Sequence, residues 1–300
     1  MFILYDVINN NDTVAGNIFL PYKLIIRKST CALNKEFKLP PKPILTFAFV
    51  IGFSLLLLVP VFAQDKEWIS LFNGKNLDGW TIKFNKQKLG VNYKNTFRAK
   101  DGILSVDYDQ YDEFDEDYGH IFYKDKFSNY IIKLEYRFTG EQVKGGPEWG
   151  IRNNGIMFHT QSAASMQIVQ GWPVSLEMQL LGGMGNGIER QTGNVCTPGT
   201  HITLNTILEK THCIYSNSIT YDGDQWVSAE LEVRADKIIR HKINGDVVME
   251  YINPIYDGED LEQPVRPFKT GTPVIDGYIA LQAESHNTEF RNIMLLDLDN

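Results

Sequence analysis

Histidine and cysteine are scarce in this chain, six and three among 300 residues. That scarcity excludes a dense metal-ligand array and a disulfide-framework fold. No segment sustains a long 3.6-residue apolar period, and no internal repeat or low-complexity array occurs, which argues against helix bundles and solenoids. There is no G-x-S-x-G elbow, no Walker loop and no dinucleotide fingerprint, so the chemistries tied to those motifs lack their parts. Basic residues are outnumbered, 29 Lys and Arg against 37 Asp and Glu, for a net charge of −8. Phosphate backbones would be repelled, so nucleic acid is not the expected partner.

The one long apolar run lies near the start. Ile44–Ala63 is almost wholly apolar, follows Lys35, Lys38 and Lys42, and ends in Val61-Phe62-Ala63. This reads as an export leader over about 42–63, cleaved near Ala63, or as a retained membrane anchor of nearly bilayer-spanning length. Residues 1–40 precede it without an expected folded role. A mature part, 66–298, then forms one domain; beyond residue 63 it holds 23 basic and 34 acidic residues, a net charge of −11. The expected location is periplasmic or secreted, with membrane contact only through an uncleaved leader. Cys31 falls in the leader region. Cys196 and Cys213 remain, as a disulfide or as two buried thiols; with His201 and His212 they match no common zinc spacing.

The mature part reads as short strands with Gly, Pro and Asn punctuation. In Asn129–Phe138, Tyr130, Ile132, Leu134, Tyr136 and Phe138 share one face, and Lys133, Glu135 and Arg137 the other. Gln225–Arg234 alternates likewise, and Asn244-Gly245 between two apolar runs signals a hairpin. The pattern predicts an all-β, two-sheet antiparallel sandwich with a groove, walled by the Gly-rich loops 139–155 and 182–201. The acidic stretch Asp107–Asp117 carries seven acids in eleven residues. A solvated loop is the expectation there, with calcium as the alternative.

Pro173–Gly183 is the most informative stretch. Val174, Leu176, Met178 and Leu180 point one way, and Ser175, Glu177 and Gln179 the other. In Gly155–Gln161 the same alternation sets His159 and Gln161 opposite Ile156, Phe158 and Thr160. Two such strands side by side would turn Glu177 and His159 toward one polar hollow, because a carboxylate facing a dry core is costly unless paired. Glu148, Trp149, Arg152, Asn153 and Asn154 cluster just before the second of these strands. Gln282, Glu284 and His286 cluster near a later strand end and are candidates for the opposite wall. A conventional glycosidase needs two carboxylates. The residue two past Glu177 is Gln179, so that pair is not visible on one strand.

Four motifs in this order, LFNGKNLDGW, NNGIMFHTQ, PVSLEMQLLGG and ALQAESHNTEFRNI, make residues 66–298 resemble the 3-keto-disaccharide hydrolase domain family. NVCTPGTH and the later THC resemble one exported subgroup. The resemblance implies a concanavalin-like jelly roll. It also implies cleavage of 3-keto-glycosides: a base removes the carbon-2 proton, the enolate is stabilised, the glycosidic oxygen leaves, and water adds. A sugar dehydrogenase would supply the ketone. On this reading Glu177 or His159 is the base. Arg152, or a divalent metal held by His159 and Glu177, polarises the ketone. Gln161, Gln179, Gln282, Glu284, His286, Glu148, Asn153 and His201 bind sugar, and Trp149 or Trp172 stacks on it. Asn154 stands where the family usually has Ser. The other readings are a non-catalytic carbohydrate-binding module and a conventional glycosidase pairing Glu177 with a loop acid such as Glu148 or Glu284.

Overall fold

The computed structural model describes residues 66–258 and 268–299. The apolar segment 44–63, everything before it and Cys31 lie outside the described residues. Among those described, the helices are three single 3₁₀ turns, Tyr93–Asn95, Glu148–Gly150 and Ala163–Ser165. No helix among them is long and apolar enough to cross a membrane.

The strands form two antiparallel sheets. The front sheet runs, edge to edge, Cys213–Ile214, Asn194–Cys196, Leu176–Leu181, Asn153–Thr160, Tyr278–Ala283, Gly119–Tyr123, Trp80–Phe84. The back sheet is ten-stranded. Its centre is Val227–Arg234, Asn129–Gln142 and His286–Asp297. The fold is a jelly-roll sandwich of the concanavalin-like kind: two antiparallel sheets as the alternation predicts, in the jelly roll the resemblance implies.

Alternation decides what each sheet buries. From the back sheet Tyr130, Ile132, Leu134, Tyr136 and Phe138 enter the core, and from the front sheet Ile156, Phe158, Leu176, Met178 and Leu180. Each such side chain contributes about 1.5–3 kcal/mol by leaving water. A second, small apolar cluster lies on the front sheet's outer face, where segment 162–172 covers Phe122, Met157 and Ala280 with Ala163 and Met166. The Asn244-Gly245 hairpin forms as expected between Ile238–Ile243 and Asp246–Tyr256. Both turn residues have positive φ, 49° and 93°, as a type I′ turn requires.

Two departures from the sequence reading matter. The stretch 182–201 is not one loop, since it contains the strand Asn194–Cys196 and the start of Thr200–Leu204. The strand ending at Thr160 does not alternate to its end. Tyr278 pairs with Thr160 and Ala280 with Met157, so one extra residue is accommodated between them. His159 takes up the slack at φ 48°. Its ring therefore turns into the inter-sheet core rather than out with Glu177.

Cys196 and Cys213 are joined, at an S–S distance of 2.05 Å. They face each other across adjacent strands, and Cys196 in turn lies opposite Glu177. The disulfide thus closes one edge of the outer face. Closing a loop of this length stabilises by about 3 kcal/mol in the chain-entropy account. Replacing both cysteines by Ser should lower the urea unfolding free energy by that order. An unchanged midpoint would show that the bridge adds nothing to stability.

Candidate active site

The outer face of the front sheet carries a cavity of about 1000 Å³. Its floor is built by register. Met157 lies opposite Glu177, and Gly155 opposite Gln179. The 280–157 and 281–156 pairing, continued by one residue, sets Gln282 beside Gly155. Asn153, Glu177, Gln179 and Glu284 line the cavity, with Trp149 and Trp172 as its aromatic wall. Gln179 Oε1 accepts from Asn194 Nδ2 at 2.9 Å, which leaves the amide NH₂ for a ligand hydroxyl.

Gly155 is a gap that the site requires. A Cβ there would sit 2.4 Å from Glu177 Oε1 and 2.7 Å from Gln282 Oε1. Both oxygens therefore reach into the space above the glycine. Asn154 points to the other side and fixes this backbone: its Oδ1 accepts from Gly155 N at 2.8 Å, and its Nδ2 donates to Gln282 O at 2.9 Å. The Asn found in place of the family's usual Ser is thus a brace beneath the floor.

Glu284 follows the last residue of the strand Tyr278–Ala283. Ser285, at φ 92°, turns the chain. That turn is held by Ser285 N donating to Tyr108 Oη at 2.7 Å and by Gln142 Nε2 donating to Ser285 Oγ at 2.7 Å. The acidic loop that carries Tyr108 is anchored by its aromatics, with Tyr108, Tyr111 and Phe114 all buried. Asp107 and Asp109 meet Arg98. Among the described residues no group of three or more His, Cys, Asp or Glu side chains is arranged to hold a metal ion.

Two buried carboxyl groups therefore share the floor. Burial pushes Glu177 well above the ordinary carboxylate range, and the charge of Glu284 adds to the shift. Burial also raises Glu284, to about 7, against a hydrogen bond from Trp172 Nε1 at 2.7 Å to Oε1. Glu284 Oε2 is buried and has no hydrogen-bond partner among the described residues. Such a pair holds one proton between its members near neutrality. Gln282 gives its amide nitrogen to Met157 Sδ at 3.1 Å and turns its oxygen to the Gly155 gap. A hydrogen bond with Gln282 works against the rise of Glu177 without overcoming burial.

Several expected members are elsewhere. His159 lies edge-on to Tyr130 at 6.2 Å in the dry core, and burial pushes it down to about 4. It cannot share an ion or a proton with Glu177 across the sheet, so the pairing expected of these two is overturned. Arg152 is paired with Asp224 at 3.2 Å, and with His286 it lines a separate cavity of about 410 Å³. His201 pairs with Asp257 at 3.3 Å on a strand that hydrogen-bonds within the back sheet. Gln161 spends its oxygen on Gln170 Nε2 and Val174 N, and its nitrogen on Ser165 Oγ, bracing the loop beyond it. Glu148 is exposed outside the cavity lining.

Other residues at the site were not among the expected site residues. Tyr118 packs on Trp172 at 4.4 Å and stacks on Trp149 at 5.8 Å, so it backs the aromatic wall. Arg190, His212 and Tyr215 line the cavity. His120 pairs in register with Gln282, is fully buried, and has no partner for either ring nitrogen. The strand Gly119–Tyr123 is buried on both faces, so no polar–apolar alternation marks His120. Nothing periodic marks Arg190 in its Gly-rich loop.

The raised Glu284 makes a signed stability prediction. Its folded-state value, about 7, exceeds the unfolded value of 4.5, so the native state binds more protons in between. Native stability from this group is thus greatest at low pH and falls as pH rises from 4.5 to 7. Glu284→Gln removes the loss, so the variant should exceed the parent by up to ~3 kcal/mol above pH 7 and not below pH 4. Chemical unfolding at pH 4 and pH 8 checks this, and equal differences at the two values would refute it. Gly155→Ala should weaken the fold by about 1–3 kcal/mol through overpacking on Glu177 and Gln282.

Similar architectures occur among solved structures. A candidate glycosyl hydrolase from Parabacteroides distasonis is 19% identical, with 77% of this chain and all of that chain covered, at a TM-score of 0.47. The carbohydrate-binding module CBM66 from Bacillus subtilis is 10% identical over 75% of this chain and 98% of its own, at 0.41. The exoplasmic/lumenal domain of VIP36 is 9% identical over 78% and 91%, at 0.44. No curated protein matches the chain. The family of 3-keto-alpha-glucoside-1,2-lyase-like domains does match, over residues 67–296 and hence the whole sandwich. The chain belongs to that family, and its role is a carbohydrate-related one.

Proposed function

We propose that this protein is an exported enzyme that cleaves 3-keto-glycosides by carbon-2 proton abstraction and β-elimination, with water adding to the product. The observation that carries the reading is the buried carboxyl pair Glu177–Glu284 at the floor of an aromatic-walled cavity. A base is most effective with a pKa near the working pH, and Glu284 at about 7 meets that condition. Trp172 holds its Oε1, so Oε2 is the acceptor left for the proton. Glu177, kept protonated by burial, is the donor to the keto oxygen as it becomes an enolate. A neutral carboxylic acid in an apolar site serves such oxyanions well.

The bond changes balance within the pair. Glu284 takes the proton from carbon 2, and the carbon–hydrogen electrons form the enolate while Glu177 donates to its oxygen. Collapse of the enolate forms the carbon-1–carbon-2 double bond and breaks the bond to the glycosidic oxygen. That oxygen leaves with the proton held by Glu284. Addition of water across the double bond gives the free 3-keto sugar. Trp149 and Trp172 supply a stacking surface, and Asn153 and Gln179 bind hydroxyls. A sugar dehydrogenase is the functional partner that makes the ketone.

The same pair favours a second reading, a conventional two-carboxylate glycosidase. The two readings part on the substrate. Purified protein offered a 3-keto-glucoside and its unoxidised parent should cleave only the ketone. Cleavage of the parent would establish the second reading, and binding without turnover would make the domain a carbohydrate-binding module. With the ketone, kcat/KM should rise with pH through about 7 as Glu284 ionises. Glu284→Gln should lose at least about 10²-fold in kcat, the usual contribution of a positioned base, and abolish that rise. Glu177→Gln should lose a comparable factor while retaining the rising limb. Full activity in either variant would remove that residue from the mechanism.

A further inference from the structure

Arg190 is a guanidinium that lines the main cavity without an acidic partner. Its Nη1 donates to Gly182 O at 2.7 Å and to Arg152 O at 3.2 Å, and its Nη2 to Trp149 O at 3.4 Å. These carbonyls fix the side chain into the wall but do not neutralise its charge. Among the described residues no carboxylate lies within ion-pair distance of it. The charged group that acts on it is a second cation, Arg152, which is itself paired with Asp224. A half-buried guanidinium whose nearest charged influence is another cation is an unfavourable arrangement. Of its five N–H donors, Nε–H and the second Nη2–H are not used by these carbonyls. The wall thus holds a fixed guanidinium in no ion pair among the described residues, beside the exposed Glu189, with donors to spare.

Position decides what that charge reads. Gly182, whose carbonyl anchors the guanidinium, follows the end of the strand Leu176–Leu181 and lies five residues beyond Glu177. The guanidinium therefore stands on the Gly182 side of the cavity, away from Glu177. It is not placed to hold the enolate. Its ligand is a group carried by the substrate away from carbons 2 and 3. The cavity's volume, several times that of one sugar ring, leaves room for such a group.

We infer that the cavity takes glycosides bearing a carboxylate away from the reacting carbons, with Arg190 as its anchor. The inference rests on the site proposed above but not on its chemistry, since recognition of the anion needs no ketone. The carboxylate is carried either by the leaving group or by carbon 6 of the sugar.

Calorimetric titration of the wild-type protein with three unoxidised ligands tests this: 4-carboxyphenyl β-glucoside, its methyl ester, and phenyl β-glucuronide. A charge-assisted hydrogen bond is worth at least about ten-fold in affinity. Tighter binding of the carboxyphenyl glucoside than of the ester, by that factor, supports an anchor for the leaving group. The same advantage for the glucuronide alone supports an anchor for carbon 6. In either case the advantage should vanish in Arg190→Gln and shrink in 500 mM salt. Arg190→Lys keeps the charge and should retain part of it, which separates loss of charge from a disturbed wall. Equal affinities in the wild type, no binding of any ligand, or a preference that survives in Arg190→Gln would overturn the inference. Turnover of a neutral 3-keto-glucoside, measured apart, judges the reaction independently.

Discussion

Two carboxyl groups withdrawn from water on one face of a β-sheet are the constraint around which this sandwich is arranged. Ionising both would leave two like charges in a low-dielectric pocket, so the pair keeps a proton. Everything adjacent either permits that burial or shapes it. Gly155 withholds a side chain so that Glu177 and Gln282 can meet above the backbone. Trp172 holds one Glu284 oxygen and leaves the other unbound. The disulfide closes the row beyond Glu177. The acidic loop, through Tyr108, fixes the turn after Glu284.

These supports come from distant parts of the chain, and that is the use of the architecture. An antiparallel sheet sets residues far apart in sequence at fixed lateral spacing. Glu177 and Glu284 are brought together across the intervening strand Asn153–Thr160, at the one position where that strand carries no side chain. The back sheet takes no direct part. It supplies the apolar face that makes the front sheet rigid enough to hold a strained turn and a buried acid.

Much of this was legible in the amino-acid order. The period-two pattern in 174–180 and 129–138 assigned inward and outward faces as they are found, because each strand has one dry and one wet side. Glu177 was therefore legible as a floor residue. The pattern misled at His159, where one extra residue reverses the side chain's direction and alternation has no term for a bulge. It offered Glu284 only beside Glu148 as a loop acid that could pair with Glu177, since a search for a second acid on the same strand cannot see one two strands away. Gly119–Tyr123, buried on both faces, shows no alternation, so His120 passed unnoticed. Arg152 and Arg190 sit in adjoining Gly-rich loops, and only the fold decides which one faces the cavity.

The hydrogen bond from the Trp172 indole to Glu284 has a practical consequence. Indole emission is sensitive to the charge of a group bonded to its nitrogen. Glu284 therefore carries its own optical reporter, and its titration is open to observation in the resting protein with no ligand present. The chain holds five tryptophans. The difference spectrum between the protein and its Trp172→Phe form isolates the one that matters.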